Sequence, residues 1–257
     1  MKKTFRIDCL PESALQCREG FAVVAVDVIR ATTMAVTAAS LGWDCYPVGS
    51  LRAAWELAHQ SDNPLLAGEI NGVEPEGFNM TNSPARLAAM KVSSGPLILL
   101  SSSGTRLIAN ACGCDVLYLS CFRNAASTAH RLIREGHERI ALLGAGSRGE
   151  FREEDQIGCA WIAARLMRTG YAPENQDTAR VAHLWANAKA ADCLVSKSVD
   201  YLRRTSQLGD LEFILDHIND LDDTFVVEKG DPVACYTANE PLRREVRQVA
   251  AGWGAQS

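Results

Sequence analysis

The chain has 257 residues, of which 47% are hydrophobic and 22% are charged, and its formal net charge is -5. This content of apolar residues can build a substantial core, either in one domain or in two smaller lobes. The acidic balance argues against nucleic acid as the main partner, because binding to a phosphate backbone usually needs a basic face.

The first ten residues carry charges and lack the uninterrupted apolar run of a signal peptide. No later stretch reaches the roughly 18 consecutive apolar residues of a membrane span. We therefore expect a cytoplasmic protein without a membrane partner.

The predicted elements alternate between strands and helices. Residues 21–28 (FAVVAVDV) form a β-branched run typical of a strand buried on both faces, and a helix is predicted at 31–41, ended by Gly42. A strand followed by a helix is predicted twice more, at Leu97–Leu100 with 104–111 and at 139–143 with 156–167. Shorter strands are predicted at Cys45–Val48, 65–67 and 116–119.

After Gly170 the pattern changes to polar helical segments, including 177–180 and 196–204, before a last predicted strand at 225–227. Strands that alternate with helices of about ten residues form βαβ units with right-handed crossovers. The sequence therefore predicts a three-layer α/β/α fold with a mainly parallel sheet and a helical C-terminal region. Residues 1–257 are interpreted as one α/β unit, or alternatively as two lobes that divide near residue 168.

Polar turns follow the predicted strands, and ligands of open α/β sheets bind outside the carboxyl ends of the strands. In the first turn, Asp27 ends a buried strand and needs a cation, which is either Arg30 or a metal. Thr32 and Thr33 open the next helix, whose free N–H groups favour an anion such as phosphate. The alternative is a helix terminus stabilised by threonines, with an Asp27–Arg30 ion pair.

The second turn places Glu69 after a short apolar strand, followed by a polar stretch at 77–84. Glu69 supplies a second carboxylate, and Asn82 and Ser83 offer neutral polar groups. Magnesium prefers oxygen ligands of this kind. The alternative for the polar stretch is an Asn or Ser cap before a helix that starts at Pro84.

The third turn, residues 101–106 (SSSGTR), contains Gly104, Thr105 and Arg106. Backbone N–H groups in such a loop can hold phosphate oxygens, and the arginine can add a bidentate contact. The loop lacks the glycine and lysine spacing of a P-loop, so nucleoside triphosphate binding is not indicated. The alternative is an ordinary loop between a strand and a helix.

The fourth turn, residues 144–149, has the spacing G-x-G-x-x-G after a strand. A charged stretch at 150–155 separates it from the next helix, which makes it a weak match to a dinucleotide-binding fingerprint. Arg148 in this turn is a candidate anion ligand. Asp155 is interpreted either as the N-cap of a helix that starts at Gln156 or as a third acid near a metal.

Together these residue types suit a phosphatase, which needs positive charge on the phosphoryl oxygens, a metal to polarise them and an activated nucleophile. We assign a Mg²⁺ ion to the three acids of the turns, Asp27, Glu69 and Asp155. The candidate anion-binding residues are three arginines, Arg30, Arg106 and Arg148, and the polar residues Thr32, Thr33, Asn82, Ser83, Gly104 and Thr105.

The four turns resemble the 2-phosphosulfolactate phosphatase family of coenzyme M biosynthesis. Its motifs D-V-L/I-R-A-T-T, G-E-R, G-F-D-x-G-N-S-P, N-G-T-R, A-G and E-D have counterparts here in the same order, at 27–33, 68–69, 77–84, 104–106, 145–146 and 154–155. The resemblance spans about residues 23–160, and a weaker one extends to 209–210. It implies a three-layer α/β fold and magnesium-dependent hydrolysis of 2-phospho-3-sulfolactate.

The chain departs from the family motifs at five positions, which are Ile70 for Arg, Asn79 for Asp, Thr81 for Gly, Ser103 for Asn and Gly144 for Cys. The loss of the arginine beside Glu69 removes an anion contact, so the substrate could be another phosphorylated 2-hydroxy acid. A homodimer is an open alternative to a monomer.

The first chemical step has two interpretations. An aspartyl-phosphate on Asp27 is one, but the D-x-D-x-T pattern of haloacid dehalogenase phosphatases is absent from the sequence. We therefore favour Asp27 as a metal ligand, with an activated water attacking phosphorus. Two other functions are alternatives, namely a non-catalytic protein that binds a small anion and a dinucleotide-dependent oxidoreductase that uses the turn at 144–149.

Overall fold

The computed structural model describes residues 2–228, 230–237 and 240–242. The strands in this part of the chain are β1 Thr4–Cys9, β2 Ala22–Val26, β3 Cys45–Val48, β4 Leu65–Gly68, β5 Leu97–Leu100, β6 Val116–Ser120, β7 Arg139–Gly144, β8 Ala172–Pro173, β9 Thr224–Val227 and β10 Ala234–Tyr236. The helices are α1 Ala31–Ser40, α2 Leu51–His59, α3 Pro84–Ala88, α4 Gly104–Asn110, α5 Ala125–Glu135, α6 Glu153–Arg168, α7 Gln176–Leu184, α8 Lys197–Arg204 and α9 Leu208–Asp216. Two 3-10 helices lie at Pro11–Gln16 and Ala190–Val195.

The strands form two sheets. The larger has the order β10-β9-β6-β2-β7-β1-β8, and its strands run parallel except at β9 and β10. The smaller has the parallel order β3-β5-β4. In both sheets, neighbouring strands end in register, with Val26 opposite Gly144 in one and Gly68 opposite Leu100 in the other.

Apolar residues cover both faces of the larger sheet. One face packs against α5, α6 and the C-terminal helices, and the other packs against α1, α3 and α4. Helix α1 also touches the smaller sheet, and its residues 31–38 are all buried. A helix enclosed on all sides needs small apolar residues, and the sequence ATTMAVTAAS supplies them. Helix α2 covers the outer face of the smaller sheet.

This architecture confirms the predicted α/β fold class, with a mainly parallel sheet and helices on both sides. The strands Cys45–Val48 and Leu97–Leu100 have the predicted bounds. The sequence analysis did not predict β1, α2 or α5, nor the division of the strands between two sheets. In β1 (TFRIDC), charged residues interrupt the apolar run, which explains why this strand was missed.

The proposed division into lobes near residue 168 stays a prediction, and residues 229, 238–239 and 243–257, which the division assigns to the second lobe, lie outside the described residues. No helix in the described ranges combines the length and hydropathy that crossing a membrane requires.

Candidate active site

The ends of the strands in both sheets surround one cavity of about 1160 Å³. Its wall includes the residues that follow β1, β2 and β7 in the larger sheet and β4 and β5 in the smaller one. Helix α8 completes the wall. We call four of its buried polar side chains the floor (Asp27, Arg30, Asn82 and Asp155), and we call its exposed basic side chains the rim (Arg106, Arg148, Lys197, Arg203 and Arg204).

Asp27 follows β2 directly and is buried in the floor. Its Oδ1 accepts a hydrogen bond from the N–H of Ala31 at 3.1 Å. The pKa of Asp27 is raised to about 7, mainly by burial and in smaller part by the negative charges of Glu69 and Glu154, while the Ala31 N–H and Arg30 oppose the shift. A nearby cation would therefore stabilise this carboxylate in its charged form.

The first turn of α1 is not free to bind a phosphate, which corrects the sequence-based expectation. The N–H groups of Thr32 and Thr33 point to the carbonyl oxygen of Asp27, at 3.0 and 3.4 Å. The Thr32 hydroxyl lies 2.7 Å from the Ser120 carbonyl oxygen, and the Thr33 hydroxyl donates to the Val28 carbonyl at 2.7 Å. Both threonines are buried and do not line the cavity, so they hold the turn around Asp27.

Arg30 lies in the floor but does not form the ion pair with Asp27 that the sequence analysis considered. Its Nη1 donates to the carboxylate of Asp210 and to the side chain of Gln207. Asp210, buried in α9, also accepts from the Ser83 hydroxyl at 2.6 Å and from the Ala85 N–H at 3.1 Å. The side chain of Ser83 is therefore engaged with Asp210, and Ser83 does not line the cavity.

Asp155 is not the N-cap of its helix, because α6 already begins at Glu153 with Arg152 as the N-cap. Its carboxylate accepts the N–H of Val28 at 2.9 Å and the N–H of Gly146 at 3.1 Å, which joins the ends of β2 and β7. Burial raises the pKa of Asp155 well above its usual value, and the charges of Asp27 and Glu154 add to the shift. The alternative position, beside Asp27 in the floor, is the one observed.

Glu154, which the sequence analysis did not select, is fully buried behind the floor. No hydrogen bond of ordinary geometry reaches either carboxylate oxygen from the described residues. Burial raises the pKa of Glu154, although the hydroxyls of Ser198 and Ser196 partly oppose this. Its negative charge raises the pKa of both Asp27 and Asp155. Three buried acids, Asp27, Glu154 and Asp155, therefore lie close enough together to disfavour one another's negative charge.

Glu69 lines the cavity, but its carboxylate already accepts several hydrogen bonds. The N–H and hydroxyl of Ser102 donate to it at 2.7 and 3.0 Å, and the N–H of Gly72 donates at 2.6 Å. Glu69 thus connects the loops that follow β4 and β5. Ile70, which follows Glu69 and stands where the family motif has Arg, does not line the cavity.

The turn after β5 is organised by its own side chains. The Ser101 hydroxyl oxygen accepts the N–H groups of Gly104 and Thr105 at 3.0 and 3.2 Å. A Cβ at Gly104 would collide with Oδ2 of Asp27 and with Cβ of Ala31, so only glycine fits there. Gly104 and Thr105 do not line the cavity, but Gly104 leaves the space that the Asp27 carboxylate occupies.

Asn82 has an unsatisfied oxygen in the floor. Its side chain is buried on the cavity wall, and its Oδ1 has no hydrogen-bond partner among the described residues. A buried acceptor without a partner is costly, so this oxygen is available to a ligand. Asn82 therefore lies where the sequence analysis expected a substrate contact.

The two rim arginines named by the sequence analysis have different surroundings. Arg106 forms an ion pair with Glu12. Arg148 lies in a tight hairpin closed by mutual backbone hydrogen bonds between Ser147 and Glu150, at 2.8 and 3.1 Å. The two central residues, Arg148 and Gly149, have φ angles of 54° and 75°. The glycine-rich turn is thus a hairpin and does not enter α6 as a dinucleotide-binding loop would.

Part of the rim was missed by the sequence analysis. Helix α8 contributes Lys197, Arg203 and Arg204 to the cavity wall, and the hydroxyl of Tyr201 donates to the carbonyl of Gly72 across it. The segment SKSVDYLRR was interpreted only as polar helical material. The basic residues at the C-terminal end of this segment could have indicated an anion contact. The segment lies far from the four turns in the sequence, however, so its place beside them was not predicted.

The acidic floor fits a magnesium ion better through two carboxylates than through three. Within the described ranges, no group of three or more Asp, Glu, His or Cys residues is arranged to hold a metal. Magnesium in enzymes is often held by one or two carboxylates, waters and substrate phosphate oxygens. Asp27 and Asp155, with raised pKa values, and the unsatisfied oxygen of Asn82 match this donor set.

Comparisons with known proteins agree with the motifs. The family model described as 2-phosphosulpholactate phosphatase matches residues 9–226. A "Probable 2-phosphosulfolactate phosphatase" of Parasynechococcus marenigrum (strain WH8102) is 30% identical over 195 residues, which is 74% of this chain and 80% of that protein. A protein of the same name from Carboxydothermus hydrogenoformans is 34% identical over 164 residues, which is 63% of this chain and 67% of that protein.

A third relative with that name, from Thermotoga maritima, is 33% identical over 159 residues, covering 62% of this chain and 66% of its own length. These matches confirm the resemblance that the motifs indicated. The family match includes the floor, α8 and Asp210.

Proposed function

The chain belongs to the 2-phosphosulpholactate phosphatase family, a family of phosphoric monoester hydrolases, and from this premise we propose that it hydrolyses 2-phospho-3-sulfolactate to 3-sulfolactate and phosphate. The observation that carries the proposal is the convergence of four motif-bearing turns on one cavity. They bring together Asp27, Glu69, the loop at 101–103 and Asp155, although the turns are far apart in the sequence. The floor is acidic and the rim is basic, which suits a metal ion below a small polyanion.

We further propose that the reaction depends on Mg²⁺, held by Asp27 and Asp155. The chemistry that Mg²⁺ supplies when bound is neutralisation of phosphoryl charge and acidification of water. Backbone N–H groups of Ala31, Val28 and Gly146 orient the two carboxylates. Because these donors belong to the strand ends and to α1, the carboxylates are positioned before the substrate arrives.

Arg30 is the buried cation closest in sequence to Asp27, and it holds the phosphoryl group in this mechanism. Its hydrogen bonds to Asp210 and Gln207 use Nη1. Its Nε and Nη2 have no hydrogen-bond partner in the described ranges, so they can form a two-pronged contact with phosphate oxygens. Asn82, with its unsatisfied Oδ1, would offer an oxygen ligand to the metal or accept a hydrogen bond from the attacking water.

Water is the proposed nucleophile, and Asp27 acts as a ligand. Rapid acid quenching of wild type with substrate carrying radioactive phosphate tests this step. We expect no acid-stable protein-bound phosphate at any time point. A transient label on Asp27 would replace the water mechanism with an aspartyl-phosphate intermediate.

Phosphate release tests the function itself. Wild type should release phosphate from 2-phospho-3-sulfolactate with Mg²⁺, and release should stop after chelation. Asp27→Asn should be inactive, whereas Asp177→Asn, which changes an exposed acid of α7 outside the cavity, should retain wild-type activity. Tight binding of the substrate without release by wild type would identify a non-catalytic binding protein instead.

A further inference from the structure

The basic side chains that line the cavity differ in whether an acid neutralises them. Five have a carboxylate partner: Arg30 with Asp210, Arg106 with Glu12, Arg152 with Glu150 at 3.4 Å, Lys197 with Glu150 at 2.7 Å, and Arg203 with Asp200 at 2.9 Å. Arg148 and Arg204 have no ion pair with any described carboxylate. Their charges are therefore the ones least compensated by the protein.

Arg204 ends α8 and is exposed on the cavity wall. Its Nε donates to the carbonyl of Asp200 at 3.3 Å, within the same helix. This bond leaves the two terminal nitrogens without a partner among the described residues. A guanidinium with two free terminal nitrogens matches the geometry of a carboxylate or sulfonate group.

Arg148 is held at the rim by its hairpin. Both central residues of that turn have positive φ angles, a conformation in which Asn or Gly usually precedes Gly. An arginine at this position is conformationally unfavourable, which indicates a role for its side chain. The only hydrogen bond of its guanidinium within the described residues is a 3.5 Å contact with the carbonyl of Asn71.

The two arginines approach the same loop from different elements. Arg148 reaches the carbonyl of Asn71, while Tyr201 of α8 donates to the carbonyl of the next residue, Gly72. A Cβ at Gly72 would lie 2.9 Å from the Tyr201 ring, so α8 and this loop are closely packed. Arg204 follows Tyr201 by three residues on this helix, which places both arginines at the cavity mouth.

We propose that Arg148 and Arg204 form a second anion subsite, which binds the charged group on C3 of the substrate while the phosphate lies at the floor. The inference rests on the proposed function and names the residues that select its substrate. Discrimination arises because a substrate without a charge on C3 leaves the rim arginines unmatched. The enzyme should therefore prefer 2-phospho-3-sulfolactate to 2-phospholactate, which carries a methyl group instead.

Kinetics with these two substrates test the subsite in wild type, Arg148→Gln, Arg204→Gln and the double variant. We expect the double variant to lose about 10- to 100-fold in kcat/KM on 2-phospho-3-sulfolactate, mainly through KM, as for loss of a charged hydrogen bond. Its kcat/KM on 2-phospholactate should stay within about twofold of wild type. Arg168→Gln removes an exposed arginine of α6 outside the cavity and should change neither substrate.

An equal loss on both substrates, or no loss on either, would overturn the subsite. Calorimetry of 3-sulfolactate binding, with lactate as the comparison, measures affinity without catalysis. It therefore separates failure of the subsite from failure of the proposed function. If wild type releases no phosphate, the proposed function fails. The subsite still stands if wild type binds 3-sulfolactate at least about 10-fold more tightly than the double variant, and it falls if the two bind equally.

Discussion

The floor and the rim of the cavity are built in different ways. Asp27 and Asp155 in the floor are buried, and backbone N–H groups from strand ends and a helix start hold them. Arg148 and Arg204 in the rim are exposed, and among the described residues their guanidinium groups donate hydrogen bonds only to carbonyl oxygens. From this difference we infer a division of roles, in which the buried floor performs the chemistry and the exposed rim selects the substrate.

The largest effect should come from Asp27→Asn. This change removes one negative charge from the floor without altering its size, so we expect kcat to fall by at least about a hundred-fold. A substitution in the rim should instead alter KM. Steady-state kinetics of phosphate release compare the two, and a floor variant that changed only KM would break the distinction.

Asp210→Asn should reduce both activity and stability, because it leaves Arg30 buried beside a neutral partner. Loss of one partner of a buried ion pair costs about 3–5 kcal/mol of unfolding free energy. We expect kcat/KM to fall by about 10- to 100-fold, since Arg30 loses its orientation. Urea unfolding and kinetics on the same preparation measure the two effects.

The double variant Arg30→Met with Asp210→Leu separates stability from function. Replacing a buried ion pair with apolar residues is often neutral for stability, so this variant should be more stable than Asp210→Asn while activity stays low. It should remain less stable than wild type, because the Ser83 hydroxyl and the Ala85 N–H lose their acceptor. Recovery of activity along with stability would show that Arg30 has no role with the substrate.

Gly104→Ala tests the space around Asp27. Its new methyl group would collide with the Asp27 carboxylate, and overpacking of this kind costs about 1–3 kcal/mol. We expect about a 10-fold or greater fall in kcat with an unchanged preference between the two substrates. Gly209→Ala, at a helix position with open space around it, is the matched control and should have wild-type kinetics.

The smallest expected effect is a pH dependence of stability in the protein without metal. The pKa of Asp27 is raised from 3.8 to about 7 by burial, so the folded state keeps a proton that the unfolded chain releases. The stability of the metal-free protein should therefore fall as pH rises through this interval. Calorimetry should record this as a Tm that decreases with rising pH.

In Asp27→Asn, this decrease in Tm between about pH 4 and 7 should become smaller. An identical pH profile in wild type and variant would show that Asp27 ionises as readily in the folded protein as in the unfolded chain.

The strands with continuous apolar runs and the floor acids were predictable because their signals are local. Asp27 ends a continuous apolar run, and Asp155 lies beside the glycine-rich turn. The N–H groups at the start of α1 donate to Asp27 and not to a ligand. The sequence could not show this, because these bonds form only where the chain turns back on itself after Asp27. Asp210 and Arg204 were not assigned roles because they reach the site through contacts between distant segments.

In the proposed function, Asp27 and Asp155 hold the magnesium ion that phosphate release requires. A magnesium titration of initial rates in wild type and Asp155→Asn tests it most directly, with 2-phospho-3-sulfolactate as substrate. Our expectation is saturation in wild type, no release after chelation, and a shift to at least about 10-fold higher magnesium concentration in the variant. Wild-type release that persists unchanged after chelation, or superimposable titrations of the two proteins, would contradict it.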